Sequence, residues 1–244
     1  MTDSKAFSLG SNVSGLGQKG LDHNQVIAID GPAASGKSTA AQRVAVSLNF
    51  VHVNSGLFFR TITWWALKNG LSEATDAFLE ALGDLDINLE RFQSDLNVVV
   101  DNVAPGEALH GPTVTEQVSA IAQLPAVRSM VLERLHYASS QFDIVCDGRD
   151  IGTTVFRQAN LKVYLIADVL ERARRRLAEG KHDMSEESLK REQARLNARD
   201  RADTSRVHSP LRKAKDAIEI DTTRMNLDEV VEVILSLARE RKLG

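Results

Sequence analysis

The chain has 244 residues, of which 43% are hydrophobic and 26% are charged, and its net charge at pH 7 is −3. This composition is typical of a globular domain, and so small a net charge excludes a general electrostatic attraction to nucleic acid or to anionic membranes. The single cysteine, Cys146, excludes an internal disulfide and a CxxC zinc site, and no run approaches the roughly 18 apolar residues of a membrane span.

These exclusions predict a cytoplasmic protein without a membrane or nucleic-acid partner. Residues 1–24 are rich in glycine and serine and lack helical or strand periodicity, so we expect a flexible N-terminal arm. Residues 25–244 are predicted to form a single domain. Within it, five apolar runs predict strands, at 26–29, 51–53, 144–146, 163–166 and 217–220. Helical patterns alternate with these runs, which is typical of a parallel sheet with helices on both faces.

Two stretches interrupt the alternation of strands and helices. Residues 83–143 combine an apolar stretch at 96–100 with a helical pattern at 118–135, which predicts an inserted subdomain. Residues 180–209 are dominated by arginines and acidic residues and contain few core-forming residues, which predicts a mobile flap. From Asn226 onward, apolar residues recur on one helical face and predict a C-terminal packing helix.

A phosphate-binding motif lies between the first predicted strand and the first predicted helix. It reads Gly31-Pro32-Ala33-Ala34-Ser35-Gly36-Lys37-Ser38 and matches G-x-x-x-x-G-K-[ST]. In such a loop, backbone N–H groups surround the phosphates, the lysine reaches the β- and γ-phosphates, and the serine hydroxyl ligates Mg²⁺. We therefore predict that residues 31–38, together with Thr39, bind ATP.

Asp147 follows the predicted strand at 144–146, from which a carboxylate can complete the Mg²⁺ site with Ser38. The alternative is an ordinary aspartate in an Asp-Gly turn. The phosphate-binding motif alone leaves switches, motors and small-molecule kinases open. The tetrapeptide N-K-x-D, with which GTPases recognise guanine, does not occur, whereas arginines stand on several segments, as a kinase that joins two polyanions requires.

Four ordered motifs give the chain a resemblance to the bacterial cytidylate (CMP/dCMP) kinases, which belong to the nucleoside monophosphate kinases. The motifs are residues 31–38, 54–60, 147–153 and 199–206, and the resemblance extends from about residue 25 to the end. It implies a P-loop kinase fold in which residues 83–143 form the NMP-binding subdomain and residues 180–209 form an Arg-rich LID. It also implies a monomer that transfers a phosphoryl group from ATP·Mg²⁺ to CMP or dCMP.

The same resemblance assigns roles to individual residues. Arg60 and Arg149 correspond to the arginines that bind the CMP phosphate, and they join Lys37 and Asp147 in the implied catalytic set. The implied substrate-binding residues are Ser55, Arg128, Asp150 and Arg206 for cytosine, and Ser119, Arg199 and Asp203 for the sugar. If Asp150 accepts a hydrogen bond from the cytosine N4 amine, the O4 carbonyl of uracil opposes acceptor to acceptor, which predicts a preference for CMP over UMP.

Several residues depart from the family pattern or leave alternatives open. Asn54 replaces an aspartate, Phe59 replaces a tyrosine, and Ala202 stands where an arginine is common, a donor that Arg201 could supply. The arginines at 172–176 are either a solvated helix face or a group in which Arg172 or Arg176 faces ATP. The six histidines lack metal-ligand spacing, so core or surface roles are expected for them.

Two functional alternatives stay open from the sequence. The first is a UMP/CMP kinase or another small-molecule kinase. The second is a nucleotide-binding regulatory or RNA-interacting module that transfers no phosphate, although the acidic residues among the arginines of residues 191–206 argue against RNA contact.

Overall fold

The computed structural model describes residues 24–71, 75–180 and 183–244, so the predicted arm, apart from its last residue, lies outside the described residues. Seven strands form one sheet in the order β3-β4-β2-β5-β1-β6-β7. The strands are β1 (Val26–Asp30), β2 (Val51–Asn54), β3 (Ile87–Phe92), β4 (Asp95–Val100), β5 (Ile144–Gly148), β6 (Leu161–Ile166) and β7 (Ile218–Asp221). The predicted α/β class with a mostly parallel sheet is confirmed.

The predicted count of five strands is wrong because a hairpin adds two more. The five predicted runs correspond to β1, β2, β5, β6 and β7, whereas β3 and β4 pair antiparallel and extend the sheet beyond β2. Gln93 turns the hairpin with φ of +56°. The usual hairpin signal is Asn-Gly or Asp-Gly at this place, and the segment lacks it.

Eight α-helices occupy the described residues. They are α1 (Lys37–Leu48), α2 (Ser55–Lys68), α3 (Asp76–Gly83), α4 (Pro112–Ile121), α5 (Pro125–Gln141), α6 (Val169–Glu179), α7 (Glu186–Thr204) and α8 (Leu227–Glu240), with a 3-10 turn at Gly106–His110 and a π-helical turn at Ile151–Val155. Local sequence accounts for several helix starts. Proline occupies the first turn of α4 and α5, where its missing N–H is tolerated, and Asn226 begins α8 with a capping box completed by Glu229.

Helices cover both faces of the sheet. On one face, Phe58 of α2, Phe78 of α3 and Leu135 of α5 pack in one buried cluster with the hairpin. On the other face, α1 and α8 bury a second cluster that includes Val44 and Ile234. Successive residues of β1 enter opposite clusters, as the two-residue period of a strand requires. No helix of the described residues is long and apolar enough to cross a membrane.

The carboxyl ends of β1, β2 and β5 lie side by side, which is where open parallel sheets bind ligands. The predicted flap contributes α7, which packs against α6 and buries Leu196 and Asp203. The carboxyl ends of these strands and α7 therefore lie on the same side of the molecule.

Candidate active site

A cleft of about 400 Å³ opens at the carboxyl ends of the parallel strands, and α2, α4 and α7 contribute to its walls. It brings together every residue that the sequence assigns to catalysis, acceptor binding or metal, which are Lys37, Ser38, Ser55, Arg60, Ser119, Arg128, Asp147, Arg149, Asp150, Arg199, Asp203 and Arg206. Of the remaining phosphate-loop residues, Ala33 and Ala34 line the cleft, whereas Gly31, Pro32, Ser35, Gly36 and Thr39 lie outside its lining.

The phosphate loop connects β1 to α1 through backbone conformations that need glycine. A Cβ on Gly31 would lie 2.3 Å from the carbonyl oxygen of Leu165, and Gly36 has φ of +83° at the start of α1. Lys37 is buried, and its Nζ donates to the carbonyl oxygen of Pro32 at 2.9 Å. Burial, followed by the charge of Arg149, holds the pKa of Lys37 well below its usual range. A buried cation in a curled loop suits a polyanionic ligand.

The hydroxyl and carboxylate predicted to hold Mg²⁺ meet at the start of α1. Ser38 Oγ donates to Asp147 Oδ2 at 2.6 Å, and the Nδ2 of Asn54 lies 3.2 Å from the same hydroxyl. Mg²⁺ prefers hard oxygen ligands, of which an Asp carboxylate and a Ser hydroxyl are two. The donor set therefore fits Mg²⁺ bound together with nucleotide phosphates.

At the end of the cleft that α5 lines, Arg128 and Asp150 form an ion pair through Nη2 and Oδ2. Burial raises the pKa of Asp150, and the charge of Arg128 opposes that shift. The ring of Phe59 lies under the Arg128 guanidinium at 5.5 Å. A second pocket of about 210 Å³ shares these three residues, and apolar side chains of α5 and of the π-helical turn form part of its wall, so a flat ring has both a polar edge and an apolar wall available.

Arginines from α2, the loop after β5 and α7 surround the middle of the cleft. Asp203 accepts from Arg149 Nε at 2.8 Å and pairs with Arg206. Burial, and next the charge of Arg149, lowers the pKa of Arg199 to about 10. The Nε atoms of Arg199 and Arg206 are buried without a hydrogen-bond partner among the described residues. A cluster of arginines with unused hydrogen-bond donors favours the binding of an anion.

The model of the family described as cytidylate kinase matches residues 27–240. The chain belongs to the cytidylate kinase family. It is 42% identical over 217 residues to the cytidylate kinase of Listeria innocua, covering 88% of this chain and 96% of the relative. Cytidylate kinases of Lactiplantibacillus plantarum and Oceanobacillus iheyensis are each 38% identical over 217 residues, covering 88% of this chain and 95% and 94% of the relatives.

Departures from the cytidylate kinase pattern have visible counterparts in the cleft. Asn54 keeps a hydrogen bond to the Ser38 hydroxyl although it contributes no charge. Phe59 contacts the Arg128 guanidinium through its ring and needs no hydroxyl to do so. Arg201 is exposed and is not among the residues lining the cleft. It therefore does not replace the arginine that is common at position 202.

The arginines of α6 divide between the two readings of the sequence. Arg172 is buried and donates to the Ala33 carbonyl oxygen at 3.0 Å and to Asp200 Oδ2 at 2.6 Å. Asp200 Oδ1 accepts from the Ala33 N–H at 3.1 Å, so this pair ties α7 to the phosphate loop. Arg176 lines the cleft.

Sequence reasoning missed the contact of a histidine with the carboxylate of Asp147. His52 is buried on β2, and its Nε2 lies 2.8 Å from Asp147 Oδ1. Its Nδ1 lies 2.7 Å from Asp95 Oδ1, and the same strand register that pairs β2 with β4 places these two residues opposite each other. Burial alone lowers the pKa of His52, but the hydrogen bonds and charges of Asp147 and Asp95 outweigh burial and raise the pKa.

Proposed function

We propose that the protein transfers the γ-phosphoryl group of ATP·Mg²⁺ to CMP or dCMP, giving ADP and CDP or dCDP. The main support is that one cleft combines the phosphate loop with an arginine cluster and with the Arg128–Asp150 pair. Membership of the cytidylate kinase family supports the same acceptor.

The donor half of the proposal concerns the loop at 31–38 and Thr39, whose backbone N–H groups and the Lys37 ammonium would bind the ATP phosphates. Ser38 and Asp147 would hold Mg²⁺, which when bound neutralises charge on the phosphate oxygens. Bound phosphates would oppose the lowering of the Lys37 pKa by burial and by the charge of Arg149, so the protonated Lys37 would stabilise the same charge.

In the acceptor half, Arg60 and Arg149 would bind the CMP phosphate. Arg60 Nη1 is aimed by hydrogen bonds to the Leu109 carbonyl oxygen at 2.8 Å and to Thr115 Oγ1 at 3.0 Å. Cytosine would contact Ser55, Arg128, Asp150 and Arg206, and the sugar would contact Ser119, Arg199 and Asp203. The attacking group is a phosphate oxygen with a second pKa of about 6, so it needs no general base at neutral pH. The residues therefore work by orienting two anions and offsetting their repulsion.

Residues 180–209 would form the LID, and α7, which lies within it, would exclude water during transfer. Residues 83–143 would form the NMP-binding subdomain, since the 3-10 turn and α4 bring Leu109 and Thr115 to Arg60. Cytoplasmic location and a monomeric state stay predictions.

The test is an assay of ADP formation with ATP·Mg²⁺ and, in turn, CMP, dCMP, UMP, AMP and GMP. We expect turnover with CMP and dCMP, and a loss of about 100-fold or more in Lys37→Ala. Lys215→Ala, which removes an exposed lysine outside the cleft, is the matched control and should retain full activity. Activity confined to another monophosphate would overturn the acceptor, and no acceptor-dependent turnover would favour the regulatory module.

A further inference from the structure

Both oxygens of the Asp147 carboxylate are in contact with protein side chains. Oδ2 accepts from the Ser38 hydroxyl at 2.6 Å, and Oδ1 faces His52 Nε2 at 2.8 Å. Asp147 is 2% exposed and His52 is 7% exposed, so water competes little for either contact. The His52 ring therefore limits rotation of the carboxylate that faces the phosphate loop.

The ring of His52 is itself held from the far side. Its Nδ1 lies 2.7 Å from Asp95 Oδ1, and the other oxygen of Asp95 accepts from Gln42 Nε2 at 2.9 Å. An ionised carboxylate can only accept hydrogen bonds. Each ring nitrogen therefore faces an acceptor, Asp95 on β4 for Nδ1 and Asp147 on β5 for Nε2. Asp95 begins β4 and lies opposite His52 in the sheet, so the β3–β4 hairpin supplies the outer support.

We propose that His52 is a positioning residue for the metal-binding carboxylate Asp147 and that Asp95 orients its ring, an inference that rests on the proposed function. Hydrogen bonds from outer residues fix the geometry of metal ligands, and their loss typically weakens metal binding by about 10–100-fold. His52 is not among the residues that line the cleft, and it would act through Asp147.

The orientation of Asp147 by His52 is more important in this chain because residue 54 is asparagine. The segment at 54–60 resembles a family segment that begins with aspartate, and here the first residue is a neutral amide that bonds to Ser38. Asp147 then supplies the carboxylate at this end of the cleft without a charged neighbour from that segment. If the Asp147 carboxylate is misoriented, residue 54 therefore offers no second carboxylate to bind the metal.

The experiment measures metal binding directly, without the acceptor. Mn²⁺ is titrated into the protein with a non-hydrolysable ATP analogue, and free Mn²⁺ is followed by electron paramagnetic resonance. We expect His52→Leu to weaken Mn²⁺ binding by about 10–100-fold, and His52→Gln, which keeps a donor toward Asp147, to recover most of the loss. His136→Leu removes a histidine whose Nε2 contacts the Val155 carbonyl oxygen, and this control should bind Mn²⁺ as the unaltered protein does.

A steady-state measurement separates positioning from general damage. In His52→Leu the Mg²⁺ concentration for half-maximal rate should rise, while KM for CMP stays within about twofold because the acceptor groups are untouched. Unchanged Mn²⁺ binding in a folded His52→Leu, or an equal rise in KM for CMP, overturns the proposal.

If His52→Leu does not fold, Asp95→Asn decides. The side chain of Asp95 is 30% exposed, and we expect this variant to weaken Mn²⁺ binding by about threefold or more. Unchanged binding in Asp95→Asn would then overturn the proposal. Failure of the unaltered protein to phosphorylate CMP would instead overturn the proposed function, whereas the Mn²⁺ titration needs no acceptor.

Discussion

Arg128 and Asp150 pair with each other at the boundary between the cleft and the apolar pocket beside it. Their side chains are 13% and 7% exposed, so each residue compensates the buried charge of the other. Ser55 stands next to them, with its hydroxyl bonded to the Asp147 carbonyl oxygen at 2.9 Å. A base that enters the pocket therefore meets a carboxylate and a guanidinium already held in position.

Asp150→Asn should narrow the preference for CMP over UMP. An amide can donate to the uracil O4, whereas the carboxylate only accepts, so we expect kcat/KM for CMP to fall by about 10–100-fold and that for UMP to fall less. The ratio of kcat/KM for the two acceptors, measured in the ADP-formation assay, checks this. Asp84→Asn, an exposed carboxylate outside the cleft, is the control, and equal losses on both acceptors would contradict the prediction.

Local sequence was sufficient to predict the phosphate loop and the five parallel strands. The spacing of Gly31, Gly36 and Lys37 fixes the loop because the backbone there approaches Leu165 too closely for a Cβ and then needs positive φ. The strands were predictable because buried parallel strands are continuous apolar runs.

Contacts between distant segments could not be predicted in the same way. Residues 87–92 of the hairpin lose burial toward the turn, and their turn has positive φ at Gln93 instead of a glycine. The contact of His52 with Asp95 depends on that hairpin lying beside β2, so it has no local signal. The link from Arg172 to Asp200 likewise depends on how α6 and α7 pack.

Asp30 should make stability depend on pH in a defined direction. Burial raises the pKa of Asp30 from 3.8 to about 6, against the hydrogen bonds that its carboxylate accepts from Ile151 and Gly152. Between these pH values the folded state binds more protons than the unfolded state, so the free energy of unfolding falls as pH rises. The shift of about two units corresponds to roughly 3 kcal/mol.

Asp30→Asn removes this titration, and urea unfolding at several pH values from 4 to 7 measures it. The unaltered protein should lose up to about 3 kcal/mol relative to the variant across that range. The series for Asp84→Asn corrects for the general effect of pH. A difference between the unaltered protein and Asp30→Asn that stays constant with pH would exclude the buried titration.

Asp200→Ala should loosen α7 because it removes the carboxylate that bridges Arg172 and the Ala33 N–H. Loss of these buried hydrogen bonds costs about 1–3 kcal/mol, so we expect amide exchange in Glu186–Thr204 to accelerate by about 5–150-fold. Hydrogen exchange followed by mass spectrometry measures this, with α8 as an internal reference. Glu186→Ala, which breaks an exposed pair with Lys190 on the same helix, is the control. Equal exchange in both variants would show that the bridge does not hold α7.

Ser119→Ala should separate CMP from dCMP. Ser119 lies on α4 and lines the cleft, and if its hydroxyl contacts the sugar 2′ position, its loss affects only the acceptor that has a 2′-hydroxyl. One hydrogen bond contributes about 0.5–1.5 kcal/mol, so kcat/KM for CMP should fall by about 2–12-fold while that for dCMP is unchanged. Thr113→Ala, at an exposed position in the first turn of α4, is the matched control. A parallel loss on both acceptors would assign Ser119 to the structure of α4 instead of to the sugar.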